Sequence, residues 1–357
     1  MNEADHEAKA ACTRFLSHHL PVAPRAMLER LAAHDTAELR ADVYGEGGAI
    51  GLLERRAVEM LGKPSGRFFI KGVTAQLSVL SAYAEARGTR NVVVHPLSHL
   101  DHDEANAMER VGHLNAIRLG RHAPFGVEDL QRIADPLAAV VVELPLRRAG
   151  YLLPDFDALV AIADWCRAAD VPLHFDGARL WEAAAGYGVS PARLASLADS
   201  IYVSFYKGLG GLGGALVAGS GAFVASLAAW KTRYGGDLYT AYPQAISALI
   251  GLDTQLPRMV DYVARARALA SRLGTVPGII LQPAVPHTNA FQIWMRGDPA
   301  ALAERNRSFA HDHRVWLFGG FQPTALAGHC MAEIAIGDGS DHVSIDEAAD
   351  WVEAFLA

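Results

Sequence analysis

His174-Phe175-Asp176-Gly177-Ala178-Arg179, followed farther along by Ser204-Phe205-Tyr206-Lys207-Gly208-Leu209-Gly210, is the stretch around which the rest of the chain organises itself. Each half is an apolar run that ends in a polar loop, the pattern of a buried strand reaching the edge of its sheet. Side by side in one sheet, the two strands deliver an acid, Asp176, and an amine, Lys207, to the same edge. Outward from them, apolar runs alternate with helical stretches. Strands are expected at 68–70, 91–94, 114–118, 138–143, 172–175, 201–205 and 215–218, and helices at 22–34, 52–61, 75–87 and 156–169. Such alternation argues for an α/β fold with a large, mainly parallel sheet covered by helices on both faces.

The pattern changes after Leu256, where a helix over 259–273 is followed by strands at 279–281, 290–295 and 331–336 and a helix at 345–355. Three parts are expected: an N-terminal arm and helix over 1–40, a large domain over 41–255 and a smaller C-terminal α/β domain over 256–357. The 357 residues are 51% hydrophobic and 20% charged, with 33 Gly and 17 Pro scattered rather than in tracts, so a sizeable core is possible. A net charge of -7 and the lack of a basic patch with interleaved aromatics argue against a nucleic-acid partner. The acidic start, Met1-Asn2-Glu3-Ala4-Asp5-His6-Glu7, and the lack of a membrane-length apolar run set cytoplasmic as the expected location, with no membrane partner. Cys12, Cys166 and Cys330 form no CxxC pair, so neither a disulfide framework nor a thiolate zinc site is expected.

Asp176 and Lys207 suit pyridoxal phosphate: its aldehyde needs a lysine for a Schiff base, and its ring nitrogen needs an anion to stay protonated. Gly208, Gly210, Gly211, Gly213 and Gly214 behind Lys207 allow a bulky flat ligand to come close. The same run satisfies G-x-G-x-x-G, but a dinucleotide turn opens a helix, and here an apolar strand follows. Arg179 is an alternative partner for Asp176. The run His95-Pro96-Leu97-Ser98-His99-Leu100-Asp101-His102-Asp103-Glu104 has three readings: a metal site on His95 and His99, a solvated loop, or an imidazole laid on a cofactor ring. Pro96 argues against one helix carrying both histidines. The turn Gly72-Val73-Thr74 before a helix is a candidate phosphate site, with Lys71 as a charge partner.

Together these residues resemble the threonine aldolase and β-eliminating lyase family of fold type I pyridoxal-phosphate enzymes, and most closely a bacterial branch of it. Asp42-Val43-Tyr44-Gly45-Glu46 looks like the family's YGE loop, Ser98-His99 with Glu104 like its stacking-histidine segment, and His174 to Arg179 like its HxDGAR motif. The resemblance implies cofactor contacts from Lys207, Asp176, His99, Gly72, Val73, Thr74, Arg179 and Ser204, with Lys207, His99 and Asp176 catalytic. It implies substrate contacts from Ser17, Tyr44, Glu46 and Arg179, no metal, and a homodimer or homotetramer with shared active sites.

The chain also departs from the family pattern. Lys71-Gly72-Val73-Thr74 replaces SGTM, Tyr206 replaces a serine, and Tyr239 stands where an arginine usually helps bind phosphate. The C-terminal arginine that clamps the amino-acid carboxylate is missing, with Glu333 near its place, and a second active-site histidine has no counterpart. The implied reaction is cleavage of a β-hydroxy-α-amino acid to glycine or a related amino acid plus an aldehyde, with weak activity on simple threonine. Its rivals are β-elimination on the same cofactor, a metal-dependent hydrolase using His95, His99 and Asp101, and a noncatalytic pyridoxal-phosphate carrier.

Overall fold

A computed structural model describes residues 2–34 and 40–357; Met1 and residues 35–39 of the expected N-terminal arm lie outside the described residues. The chain divides into two compact units, residues 24–258 and residues 1–23 with 259–357. The second boundary lies three residues from the expected one, but the first falls at 23/24 instead of 40/41, and the first residues belong with the C-terminal unit. There Arg14–Phe15 pairs in parallel with Val315–Trp316, and Cys12 and Phe15 pack on Ala310 and Trp316.

The larger unit is built on a seven-stranded sheet. Its strands are β1 (Ser65–Phe69), β2 (Asn91–Val94), β3 (Asn115–Arg118), β4 (Ala139–Glu143), β5 (Leu173–Gly177), β6 (Ser200–Ser204) and β7 (Ala215–Gly219). The spatial order is β1-β7-β6-β5-β4-β2-β3. Every neighbouring pair from β6 to β3 is parallel, and β7 runs antiparallel to both β6 and β1. Residues of β4, β5, β6 and β7 are buried throughout, as expected of central strands covered on both faces.

Two helices of this unit matter for the site. Helix α1 (Gly72–Arg87) packs on one face of the sheet, with Ala75, Val79, Leu80 and Tyr83 against Val92, Val94, Val141 and Tyr202. It begins three residues before the expected helix, so Gly72, Val73 and Thr74 form its first turn rather than a turn ahead of it. Helix α2 (His99–His102) is a single turn opened by Ser98, whose hydroxyl accepts from Asp101 N.

The smaller unit carries β8 (Ile279–Gln282), β9 (Ala290–Arg296) and β10 (His329–Ala335) in an antiparallel sheet, with Gln322–Pro323 at one edge. Its helices Met259–Leu273, Pro299–His313 and Ile345–Leu356 turn apolar faces inward. No described helix is long and apolar enough to cross a membrane.

Candidate active site

Strand register brings three polar side chains into one row at the carboxyl edge of the sheet. Glu143 on β4 stands opposite Asp176 on β5, and Asp176 stands opposite Tyr202 on β6. Neighbouring strands are about 4.8 Å apart and register partners share a face, so the row is contiguous on the α1 side of the sheet. Asp176 is 2% exposed, and its Oδ1 accepts from Ala178 N at 3.2 Å. Ser204 Oγ donates to Ala178 O at 2.7 Å, tying the loop after β5 to the end of β6.

Lys207 follows β6 in the reversal that leads into antiparallel β7. Phe205 frames that reversal: its N–H donates to Gly214 O at 3.1 Å, and its carbonyl accepts from Gly211 N at 2.8 Å. Gly214 has φ +91°, and a Cβ there would meet the Phe68 ring at 2.5 Å, so this glycine is required for the turn. The glycine run therefore makes a hairpin and not a dinucleotide-binding turn. Lys207 is partly buried, and its pKa is lowered to about 8, first by loss of hydration and next by the Arg179 guanidinium, with Asp176 and Glu143 opposing.

The histidine run resolves residue by residue. His95 is buried, its Nε2 bonded to Ala123 O at 2.9 Å and its Nδ1 accepting from Leu97 N at 3.0 Å. Both ring nitrogens are occupied by backbone, and His95 precedes the helix that begins at His99. Asp101 is paired with Arg118 at 2.6 Å. Among the described residues no group of three or more His, Cys, Asp or Glu is placed to hold a metal ion, so the proposed His95, His99 and Asp101 cluster is not a ligand set. His99 instead has its Nδ1 2.9 Å from Glu104 Oε1, and that hydrogen bond raises its pKa, assisted by the charge of Asp176. Burial raises the pKa of Glu104 in turn, although His99 pulls it down.

His174, the first residue of the HxDGAR stretch, is structural. Its Nδ1 lies 2.7 Å from Ser200 Oγ, and its Nε2 lies 2.8 Å from Gln76 Oε1. Complete burial lowers its pKa to about 3, so it is neutral, with the Nε2 proton assigned by its partner. It links β5 to β6 and to α1, holding the helix over the row that contains Asp176.

The end of α1 fits a phosphate group. Its N-cap residue, Lys71, makes no side-chain cap, so the first-turn N–H groups of Gly72, Val73 and Thr74 are not served by a capping side chain. A Cβ at Gly72 would lie 2.3 Å from Tyr202 Oη, which bonds in turn to Tyr206, so only glycine lets the helix end come this close to the sheet. The Lys71 ammonium lies 5.8 Å from the Tyr206 ring centre.

The remaining candidates come from three further segments. Tyr44 is 59% exposed in a loop fastened by buried Asp42, whose carboxylate accepts from Thr240 Oγ1 at 2.9 Å, Ala241 N at 2.9 Å and Gly45 N at 3.3 Å. Glu46 is exposed on that loop, and the Tyr44 and Tyr239 rings meet edge-on at 5.6 Å. Arg179 precedes helix Leu180–Tyr187, its guanidinium 5.2 Å from the Tyr151 ring centre. Ser17, in the smaller unit, donates to Ala335 O at 3.1 Å and accepts from Ala335 N at 2.8 Å, so its single proton is already engaged.

Sequence reasoning passed over Glu143, Tyr202 and Arg147. Glu143 was the end of an expected strand, and alignment of strand ends was the signal that could have marked it. Its pKa is raised to about 7, by burial first and by the charge of Asp176 second. The Arg147 charge is felt at Lys207 as well.

The chain as a whole has counterparts among known proteins. The beta-eliminating lyase family profile matches residues 15–296. Low-specificity L-threonine aldolase 1 of Arabidopsis thaliana is 24% identical over 295 residues, 80% of this chain and 82% of that one. The low specificity L-threonine aldolase of Escherichia coli K12 is 26% identical over 257 residues, 70% of this chain and 75% of that one. A provisionally assigned L-allo-threonine aldolase of Listeria monocytogenes EGD-E, solved as a crystal structure, is 30% identical with a TM-score of 0.91, covering 99% of this chain and 100% of that one. The chain therefore belongs to the beta-eliminating lyase family, whose cofactor is pyridoxal phosphate, and it is an enzyme, a lyase of the threonine aldolase kind.

Proposed function

We propose that the enzyme cleaves the Cα–Cβ bond of a β-hydroxy-α-amino acid, yielding glycine or a related amino acid and an aldehyde. The cofactor chemistry is supported by Lys207, its pKa lowered to about 8, one strand away from buried Asp176 at the same sheet edge, and the choice of bond by the likeness to threonine aldolases. Bound pyridoxal phosphate supplies a sink for the electron pair left at Cα when the bond breaks. Asp176 would hold a proton at its ring nitrogen, and the N–H groups of Gly72, Val73 and Thr74 would receive its phosphate. His99, its imidazole oriented by Glu104, would face the cofactor ring, and Ser204 braces the loop after Asp176. A fall in pKa from 10.5 to about 8 raises the neutral, nucleophilic fraction of Lys207 near pH 7 by about 300-fold.

Arg179 is the proposed partner of the substrate carboxylate, with Tyr44 and Glu46 contributing from their loop. A carboxylate needs a donor, and the Ser17 proton is given to Ala335 O, so Ser17 is retained as a strand tie instead. A homodimer or homotetramer with shared sites is proposed from the family likeness. A cytoplasmic location accords with Cys12, Cys166 and Cys330 being free and buried.

The test is product analysis after visible absorbance has confirmed cofactor loading. L-threonine, L-allo-threonine and bulkier β-hydroxy amino acids are supplied, and glycine is quantified against aldehyde. Equal amounts of the two support the reading. A keto acid with ammonia in place of them would establish β-elimination and sink it.

A further inference from the structure

Glu143 spends both carboxyl oxygens on backbone. Its Oε2 accepts from His99 N at 2.6 Å, and its Oε1 accepts from Arg147 N at 3.1 Å. Those two N–H groups open two separate turns, the helical turn α2 and the 3-10 turn Arg147–Ala149. One carboxyl therefore anchors two loops that come from different strands, β2 and β4. The residue is 9% exposed and neighbours Asp176 in the register row. Two like charges in adjacent buried positions oppose each other, so a carboxyl whose only task was to fill space would be replaced at a gain by an apolar side chain. Two backbone donors offset that opposition, and only a group with two acceptor oxygens in one plane can meet both.

Resting on the proposed function, we infer that Glu143 is a positioning residue of the active site: by holding the His99 and Arg147 backbone from a place beside Asp176, it sets where the imidazole and the second guanidinium stand relative to Asp176 and Lys207. The Arg147 charge reaches Lys207 and Asp103, so a displacement of this turn changes the field at the amine. Glu104 orients the His99 ring through Nδ1, while Glu143 places its backbone; the imidazole is thus held at two points.

Glu143→Gln tests this, because its amide offers one acceptor oxygen and turns an N–H donor toward the other backbone N–H. Glu143→Asp keeps the carboxyl but falls one methylene short. Hydrogen exchange over residues 97–104 and 145–151 is followed in apoenzyme and holoenzyme, with visible circular dichroism of bound pyridoxal phosphate, kcat and KM. Glu143→Gln is expected to speed exchange in both segments by about tenfold and to change the amplitude of the cofactor's dichroic band. It is expected to lower kcat by roughly 10- to 100-fold while KM moves less than about threefold, with Glu143→Asp recovering part of kcat. Unchanged exchange overturns the inference, as does faster exchange with wild-type dichroism and kcat. If Glu143→Gln does not fold, Glu143→Asp is judged by the same criteria. Failure of the proposed reaction looks different: the wild-type holoenzyme shows the dichroic band but forms no aldehyde, while exchange and dichroism still report on Glu143.

Discussion

Replacing Lys207 with methionine should stabilise the apoenzyme at neutral pH, and the gain should vanish as the pH rises. Lysine titrates at 10.5 when unperturbed and at about 8 in this site. Between those values the unfolded chain binds more protons than the folded one, so stability from this residue rises with pH across that window. Below pH 8 the folded protein carries the full cost of a partly buried ammonium. The displacement from 10.5 to 8 corresponds to at most about 3–4 kcal/mol, and water at this partly exposed residue brings the expected amplitude to about 1–2 kcal/mol. Urea denaturation of wild-type and Lys207→Met apoenzyme is compared at intervals from pH 6.5 to 10.5, within the two proteins' common folded range. The difference in unfolding free energy should favour the variant at the acid end and shrink toward zero at the alkaline end. A difference that stays flat across the window would mean that Lys207 titrates normally, and the argument for a nucleophile prepared by desolvation would fail.

Other substitutions test the remaining parts of the site. Gly72→Ala places a methyl 2.3 Å from Tyr202 Oη, an overpacking of about 1–3 kcal/mol, and should weaken pyridoxal phosphate binding by roughly tenfold or more in an apoenzyme titration; unaltered affinity would remove α1 as the phosphate site. Asp176→Asn keeps the shape but removes the anion, and kcat should fall by roughly 10²- to 10³-fold while the thermal midpoint stays near wild type; wild-type turnover would exclude Asp176 from the ring nitrogen. His174→Ala leaves Gln76 Oε1 and Ser200 Oγ short of a buried partner and should cost about 2–4 kcal/mol in urea, with the pH optimum unmoved because His174 is neutral throughout; a shifted optimum would give it a catalytic part.

Much of the architecture is legible along the chain because its causes are local. An apolar run of strand length ending in Asp176 or Lys207, glycines where the backbone must reverse, and the helical spacing of apolar residues over 156–169 and 259–273 depend only on neighbours in sequence. The strand at β2 and the helix Met259–Leu273 coincide with their expected limits for that reason. The same local logic puts Asp176 and Lys207 at one sheet edge and makes pyridoxal phosphate the cofactor they suit.

What the chain does not reveal residue by residue is which side chains converge. That Glu143 neighbours Asp176 is a matter of strand register, and a slip of one residue would turn it to the opposite face. His95 and His99 look equivalent in the sequence, yet Ala123 and Leu97 occupy both nitrogens of the first, while Glu104 and Glu143 orient the second. Ser17 matches a substrate-binding serine by position, and only its pairing with Ala335, 318 residues away, shows where its proton goes. Amino-acid order thus determined the elements and the two principal chemical groups, because steric and hydrophobic preferences act over a few residues. Folding decided their partners and their proton affinities, because hydrogen bonds, burial and charge act across space between segments that are remote in the chain.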